Sequence, residues 1–510
     1  MTEERVGSTA PQAQAEAQLL GWQILEEALR DHHLDLVVGV AGKPVTLTMA
    51  ALYQSGDGIW ANHEAVAFQM AFGVAGCGGR SAALVKQVGM NAGLDVLACA
   101  APHRSGGSMV VIVGDDPGGA YSSNEGDARM LAAAIDLPCL EPAGAADIQA
   151  ALFDALALST SLHVPTVLRV TSAMMLDRRA ARQDEHRVLP PTKPFDPEFW
   201  HTDAEGQRRS LLQAMQALDE DGATTRRDGG GGIRIIGCGE PGAAALAQTS
   251  FDLLLVRRVL PLPRHTIADF LSVDDRPVLV LEDGGPMLEE AARQVSRQPV
   301  LGRHSGQVPW TGIIDVNASV EAALRSMPVV GAPAQVVDGN PAADLRPYGT
   351  LWDDAAALGL TPIAVDAGHA SAAVWHKGDP SPFCVGLGSA VGVAAGVAIQ
   401  SRHPVLAVTG DMAAFHSGIL GLLQVVREQL PVITVVCDDG AASYTGGQPH
   451  PGSVPKSGQR RVDLREVVEG IGIDIVEEIP QKLMTSEVLQ PLLRRLAAAG
   501  RPSVVIIDAR

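Results

Sequence analysis

The stretch Ala407–Leu423, AVTGDMAAFHSGILGLL, runs from an apolar strand pattern through Gly410-Asp411 into a helical pattern that carries His416. A carboxylate at the carboxyl end of a buried strand is costly unless it holds something, and a metal carrying phosphate is the usual candidate. Twenty-five residues separate Met412 from Asp438-Asp439, and that pair closes a second apolar strand, in PVITVVCDDGAASYTGG. Parallel strands joined by one helix bring their carboxyl ends side by side at the crevice where doubly wound sheets bind ligands, so Asp411 and Asp439 can face one ion. Hard oxygen ligands completed by water and phosphate describe Mg2+ rather than zinc. Gly410 and Gly440 admit close backbone approach, and a helix starting near Ala413 aims its amide dipoles at a phosphate. Taken alone, this spacing also suits two solvated loop aspartates.

Outward from this stretch, apolar strands alternate with helical patterns, which predicts an α/β chain of parallel sheets. The third block, residues 346–510, holds PIAVDAG, HPVLAVTGD, LPVITVVCDD and PSVVIIDAR. A first block, residues 1–190, has strands near 34–42, 80–89, 108–116 and 164–172. A smaller middle block, residues 233–345, begins at IRIIGCG, and the charged, Pro- and Gly-rich segment 191–232 before it reads as a linker. Blocks one and three look like two copies of one architecture.

The bulk properties narrow the partners. At 510 residues the chain exceeds a single core, and its net charge of -19 leaves no basic face for nucleic acid or an anionic membrane. No apolar run reaches the roughly 18 residues that span a bilayer, and the acidic N-terminal stretch lacks a signal-peptide core, so a cytoplasmic protein is expected. The cysteines at 77, 99, 139, 238, 384 and 437 form no Cys-x-x-Cys pair, so no iron–sulfur cluster is expected on this chain.

In WANHEAVAFQMAFGVAG, Glu64 opens an otherwise apolar helix. A cap or dipole partner is the plain reading of such an acid. Beside a metal–diphosphate motif it acquires a second one, because thiamine diphosphate needs one domain to grip its diphosphate through Mg2+ and another to offer a carboxyl group to its pyrimidine. The cofactor then serves as electron sink when a 2-oxo acid loses CO2. Val391, in GLGSAVGVAAG after Gly388, is the candidate bulky residue that bends the cofactor, with core packing as the alternative.

At these residues the chain resembles the alpha subunit of indolepyruvate ferredoxin oxidoreductase, in the 2-oxoacid oxidoreductase superfamily. WANHEAVA, VKQVGMNAGLD, VGDDPGGAYSSNEGDAR and GDMAAFHSGILGLL with CDDGAASYTGGQPHPG carry the likeness, which covers nearly the whole chain. It implies three doubly wound parallel-sheet domains of the thiamine-diphosphate-binding type: a pyrimidine domain (1–190), a transketolase C-terminal-like middle domain (233–345) and a diphosphate/Mg2+ domain (346–510). Glu64 would activate the cofactor, and Asp411, Asp439 and the Ala441 carbonyl would hold Mg2+. Gly388, Gly410, Met412 and His416 would line the cofactor, the last three at its diphosphate end. Thr445, Gln448 and His450 would lie near the reacting carbon. Such domains pair across a subunit interface, which implies at least a homodimer.

The departures from the family pattern bear on chemistry. Asp439 stands where the family has Asn, Gln87 where it has His, and His369 where it has Cys. Gln87 and His369 are therefore candidate catalytic positions whose proton-transfer roles differ from the family's. The chain ends near SVVIIDAR, about where the family's ferredoxin-like domain would begin, which leads to the expectation that electron transfer lies elsewhere. The expected function is decarboxylation of an aryl- or branched-pyruvate-type 2-oxo acid, with a second subunit or ferredoxin as electron partner. A non-oxidative decarboxylase or carboligase is the alternative, and a non-catalytic binding subunit is a third.

Overall fold

The computed structural model describes residues 18–101, 105–119, 125–180, 187–194, 211–218, 220–310, 312–326, 348–361, 363–366, 368–370 and 386–510. Three parallel-dominated sheets organise them. The first has seven strands in the order Arg258–Leu260, Cys139–Leu140, Thr166–Thr171, Ser108–Asp115, Arg80–Lys86, Leu36–Gly39 and Ile59–Trp60. All its pairings are parallel except that of Arg258–Leu260 with Cys139–Leu140 at one edge. Alternation along the strands explains its two covered faces. Val38, Ala83, Val85, Val111 and Val113 enter one apolar cluster, while Val37, Ala82, Leu84, Val110 and Ile112 enter the other.

The middle sheet runs Val300–Leu301, Val278–Leu281, Gly230–Cys238, Phe251–Val256 and Thr224–Arg227. Its last strand is antiparallel. Here the structure corrects the expected linker: residues 224–227 and 230–232 belong to this sheet. The Thr224-Thr225 pair suits an extended edge strand, and the glycine run accommodates the irregular register between Gly230 and Arg234. One face of the sheet has its own cluster around Ile235, Leu253 and Leu279, but Ile236, Leu254 and Val280 on the other face join the first sheet's core. The first two blocks thus share a continuous interior.

The two sheets also meet through buried charge. Arg169 lies between Asp115 and Glu141, at 2.5 Å from each. Arg129 binds Asp127 at 2.8 Å and Glu282 of the middle sheet at 3.1 Å, and it donates to the carbonyls of Asp283 and Gly285. Asp115, Glu141 and Glu282 stand at the carboxyl ends of strands in both sheets, Asp127 and Arg129 at the start of the helix Ala128–Ala134, and nothing in their sequence spacing announced the cluster.

The third sheet is entirely parallel, in the order Ala364–Val365, Val405–Gly410, Val432–Asp438, Ser503–Asp508 and Ile475–Pro480. Clusters on both faces again split alternate residues, Leu406 and Val408 from Val405 and Ala407. Among the described residues no helix is long and apolar enough to cross a membrane.

Candidate functional site

Asp411 follows directly on the strand Val405–Gly410, and Asp438 ends its neighbour Val432–Asp438, so the strand register brings these carboxyl ends together. Asp411 is buried: Oδ1 accepts the Met412 N–H at 2.7 Å, Oδ2 accepts the Gly440 N–H at 2.8 Å, and His450 Nε2 lies 3.0 Å from Oδ2. Burial pushes the Asp411 carboxyl pKa up; His450 opposes the rise and the charge of Asp439 adds to it. Two carboxylates that repel one another here fit a divalent cation, which would offset their repulsion.

The adjacent aspartates divide the work. Asp438 takes a bidentate contact from Arg510, at 3.0 Å from Nε and 2.5 Å from Nη2. Asp439 instead caps its own loop by accepting the Ala441 N–H at 3.2 Å and is half-buried. Gly440 adopts φ +75° between them, a conformation that favours glycine. The Ala441 carbonyl accepts the Ser443 N–H at 2.9 Å, and its second lone pair is the one that a cation would use.

Glu64 comes from the first sheet. His63 caps the helix Glu64–Gly76 by accepting the Ala65 N–H at Nδ1, 3.1 Å away. Ala67, Phe68, Ala71 and Ala75 bury one side of that helix. The buried Glu64 carboxylate meets His416 Nε2 at 2.6 Å, across 352 positions of sequence. Burial pushes the Glu64 carboxyl up, but the hydrogen bond and charge of His416 outweigh it and hold the pKa below its ordinary value. A Cβ on Gly89 would lie 2.4 Å from Glu64 Oε1, so only glycine fits beside this oxygen.

His416 therefore lies at the Glu64 carboxylate. A π-type widening of the helix at Ala414–Gly418 carries it, and such widenings redirect side chains. His63 stacks on its ring at 4.3 Å, and Ser417 Oγ lies 2.7 Å from His416 Nδ1. The Asn62 amide donates to the Phe415 carbonyl at 3.4 Å. The sequence reading missed His63, Asn62 and Ser417, although His63 as the residue before Glu64 was a readable cap.

The other expected residues occupy several settings. Met412 is half-buried and packs against the core of the first sheet, bridging the two halves. Val391 is buried in the third sheet's core, beside Gly421 of the helix Ile419–Arg427. Gly388, at φ +78°, brings its backbone against Ser417 and Gly418 with no room for a Cβ. Gly410 is half-buried and carries open space where a Cβ would project. Thr445 Oγ1 donates to Gln448 Oε1 at 2.6 Å, and Gln448 Nε2 returns a bond to the Thr445 carbonyl at 3.0 Å, so these two side chains brace their own loop. Gln87 is buried at the start of the helix that carries Gly89. His369 packs edge-to-face with Tyr444, in the loop that follows Asp439. Cys384 lies outside the described residues; Cys77, Cys99, Cys139, Cys238 and Cys437 form no disulfide with one another.

Glu64, from one sheet's half of the chain, thus meets the turn that follows Asp411 at the end of a strand of another. Residues 368–507 match the family described as thiamine pyrophosphate enzyme, C-terminal TPP binding domain. Similarity to curated proteins extends much further. The chain is 26% identical to the indolepyruvate oxidoreductase subunit IorA of Archaeoglobus fulgidus over 494 residues, covering 88% of this chain and 77% of the relative. The chain is thus similar to IorA subunits along most of its length and to thiamine pyrophosphate enzymes in its C-terminal part. The IorA subunit of Methanothermobacter marburgensis is also 26% identical, with 88% of this chain and 78% of the relative covered, and that of Pyrococcus horikoshii is 23% identical, with 90% and 80% covered. Among solved structures, the 2-oxoglutarate:ferredoxin oxidoreductase from Magnetococcus marinus aligns with TM-score 0.45 and 10% identity over 56% of this chain and 61% of its own.

Proposed function

We propose that this chain uses thiamine diphosphate and Mg2+ to decarboxylate a 2-oxo acid of the aryl- or branched-pyruvate type. It would act as the catalytic subunit of a 2-oxoacid oxidoreductase, with a second subunit or a ferredoxin receiving the electrons. The observation that carries this reading is the convergence of Glu64 with the turn following Asp411. The names of the IorA relatives support the substrate class and the existence of a partner subunit.

Thiamine diphosphate supplies the electron sink that lets a 2-oxo acid part from CO2. Asp411, Asp439 and the Ala441 carbonyl would hold the Mg2+ that carries its diphosphate, while Glu64 would hydrogen-bond its pyrimidine. Lys43 and Lys86 stand at the same edge of the first sheet near Asp116; burial lowers both amine pKa values, and Asp116 favours their charged forms. The chain would work as a homodimer, for which the apolar outer face of the helices Ala390–Ser401 and Ile419–Arg427 offers a surface.

The test is product analysis. The purified chain is incubated with thiamine diphosphate, Mg2+ and a panel of 2-oxo acids, with and without a candidate partner subunit, coenzyme A and a redox dye. Dye reduction that requires the partner supports the proposal. Aldehyde or ketol released by the single chain establishes the non-oxidative alternative, and no turnover under any condition defeats both.

A further inference from the structure

We propose that His416 is a positioning residue that holds one oxygen of Glu64 and leaves the other to face the cofactor ring; this rests on the thiamine-diphosphate reading above. His416 Nε2 lies 2.6 Å from Glu64 Oε2, with both side chains buried, while Ser417 Oγ lies 2.7 Å from His416 Nδ1. An ionised carboxylate only accepts, so His416 Nε2 carries the ring proton and donates it to Oε2; in the neutral ring Nδ1 then accepts from the Ser417 hydroxyl. The second carboxylate oxygen, Oε1, is bounded by the bare backbone of Gly89. The two oxygens therefore have different surroundings: imidazole holds one, and a residue without a side chain borders the other.

His63 restrains the arrangement from its other side. Its ring stacks on His416 with planes 17° apart, and its Nδ1 is committed to the Ala65 N–H, which puts its own proton on Nε2. One ligand atom each from His63, Glu64 and His416 lie within 4.8 Å of one another, a composition that also suits a transition metal. Nearly parallel rings aim their in-plane lone pairs side by side instead of at one point, and a protonated His63 Nε2 has no lone pair to give. The trio is built as a hydrogen-bonded brace. Asp95, which acts on His63, and the buried Asp366, which acts on His416, are the further charged groups facing it.

The test pairs binding with a proton-exchange readout on the full chain. Calorimetry with thiamine diphosphate and Mg2+ is run on the parent, H416A, H416Q, S417A, E64Q and E64Q/H416A. Exchange of the bound cofactor's thiazolium ring proton for deuterium is followed by acid quench and NMR from about pH 5.5 to about pH 8.5. H416A is expected to slow exchange roughly tenfold or more while affinity changes less than about threefold. H416Q, whose amide can donate to Oε2, recovers much of the rate with an altered pH profile. S417A, which keeps the Nε2 contact but loses the hydroxyl at Nδ1, falls between the parent and H416A. The double variant is no slower than E64Q alone. Exchange in H416A at the parent's rate, or an affinity loss that matches the rate loss, overturns the positioning role. A parent chain that does not bind thiamine diphosphate defeats the cofactor reading itself, which separates the two failures.

Discussion

Arg129 and Glu282 join the first and middle sheets through a buried ion pair, 3.1 Å from nitrogen to oxygen. Arg129 also serves Asp127 and the Asp283 and Gly285 carbonyls, so its removal would leave several buried acceptors and at least two carboxylates uncompensated. Breaking such a buried pair costs about 3–5 kcal/mol. R129M is expected to destabilise the chain by that order in urea unfolding. R465A, which breaks the exposed Arg465–Glu469 pair, should change stability by about 1 kcal/mol or less. Equal effects from the two substitutions would contradict the structural weight given to the buried cluster.

The same cluster sets a pH dependence. Burial pushes Glu240 and Glu282 up to about 7, and Asp115 and Asp283 up to about 6. Each binds its proton more tightly in the folded chain, so its stabilisation is complete below the unfolded pKa and is lost as pH rises through 6 to 7. Asp127 has the opposite sign: despite burial, Arg129 holds its pKa well below the carboxylate range, and its contribution is lost only in strong acid. Between about pH 5 and about pH 8 the four raised groups prevail. The Tm measured at constant ionic strength should fall across that window, with a shallower slope in E282Q. A flat profile for the parent would count against the cluster's protonation.

Period-two alternation made the layered parallel sheets legible, because buried strands such as VITVVCD and VLAVTG leave few alternatives. The paired-aspartate loop was legible for the same reason, since each acid closes such a strand. Spacing could not distinguish Asp438 from Asp439; Arg510, at the far end of the chain, does so by neutralising the first. The position of His416 was equally beyond reach. A helical pattern read at 3.6 residues per turn does not show a widening at Ala414–Gly418, the segment from which the imidazole meets Glu64. Long-range charge pairing hid the Arg129 and Arg169 network, whose members come from separate blocks.

Gly89 makes a sharp test of the Glu64 geometry. In G89A the new methyl group would meet Glu64 Oε1 at 2.4 Å and Cγ at 2.7 Å, so the carboxylate must move. A misplacement of that size is expected to lower thiamine-diphosphate-dependent turnover by about 100-fold, and overpacking costs about 1–3 kcal/mol of stability. Turnover and thermal unfolding measured on the same preparation check both. Unchanged turnover would show that Glu64 needs no fixed position.

The two neighbouring aspartates should separate cleanly in calorimetry with Mg2+ and thiamine diphosphate. D411N, which removes a buried carboxylate facing Asp439, is expected to weaken cofactor binding at least about tenfold, as losing a charged ligand would. D438N loses the Arg510 contact and some stability but should keep Mg2+-dependent binding. Chelation of Mg2+ by EDTA should abolish binding in the parent and in D438N alike. If D438N weakened binding as much as D411N, the division of labour between Asp438 and Asp439 would be wrong.

The helix Ala390–Ser401 contains no charged residue, and it packs on Ile419–Arg427 with its outer side uncovered. Ile399 is 62% exposed, Leu420 63% and Leu423 46%, with Gly392 and Gly396 exposed along the same helix as Ile399. Isolated exposed apolar residues are ordinary, but several on two helices that pack together suit an association surface, and small residues let two helices approach closely. A second copy of the chain is the expected occupant. Light scattering should give the parent a mass twice the chain's 53.2 kDa. Substituting Leu420 and Leu423 together by Asp places two charges on the outer face without touching buried Leu422 or Val425, so the variant should become monomeric and stay folded. A monomeric parent, or a variant that remains dimeric, would place the subunit contact elsewhere.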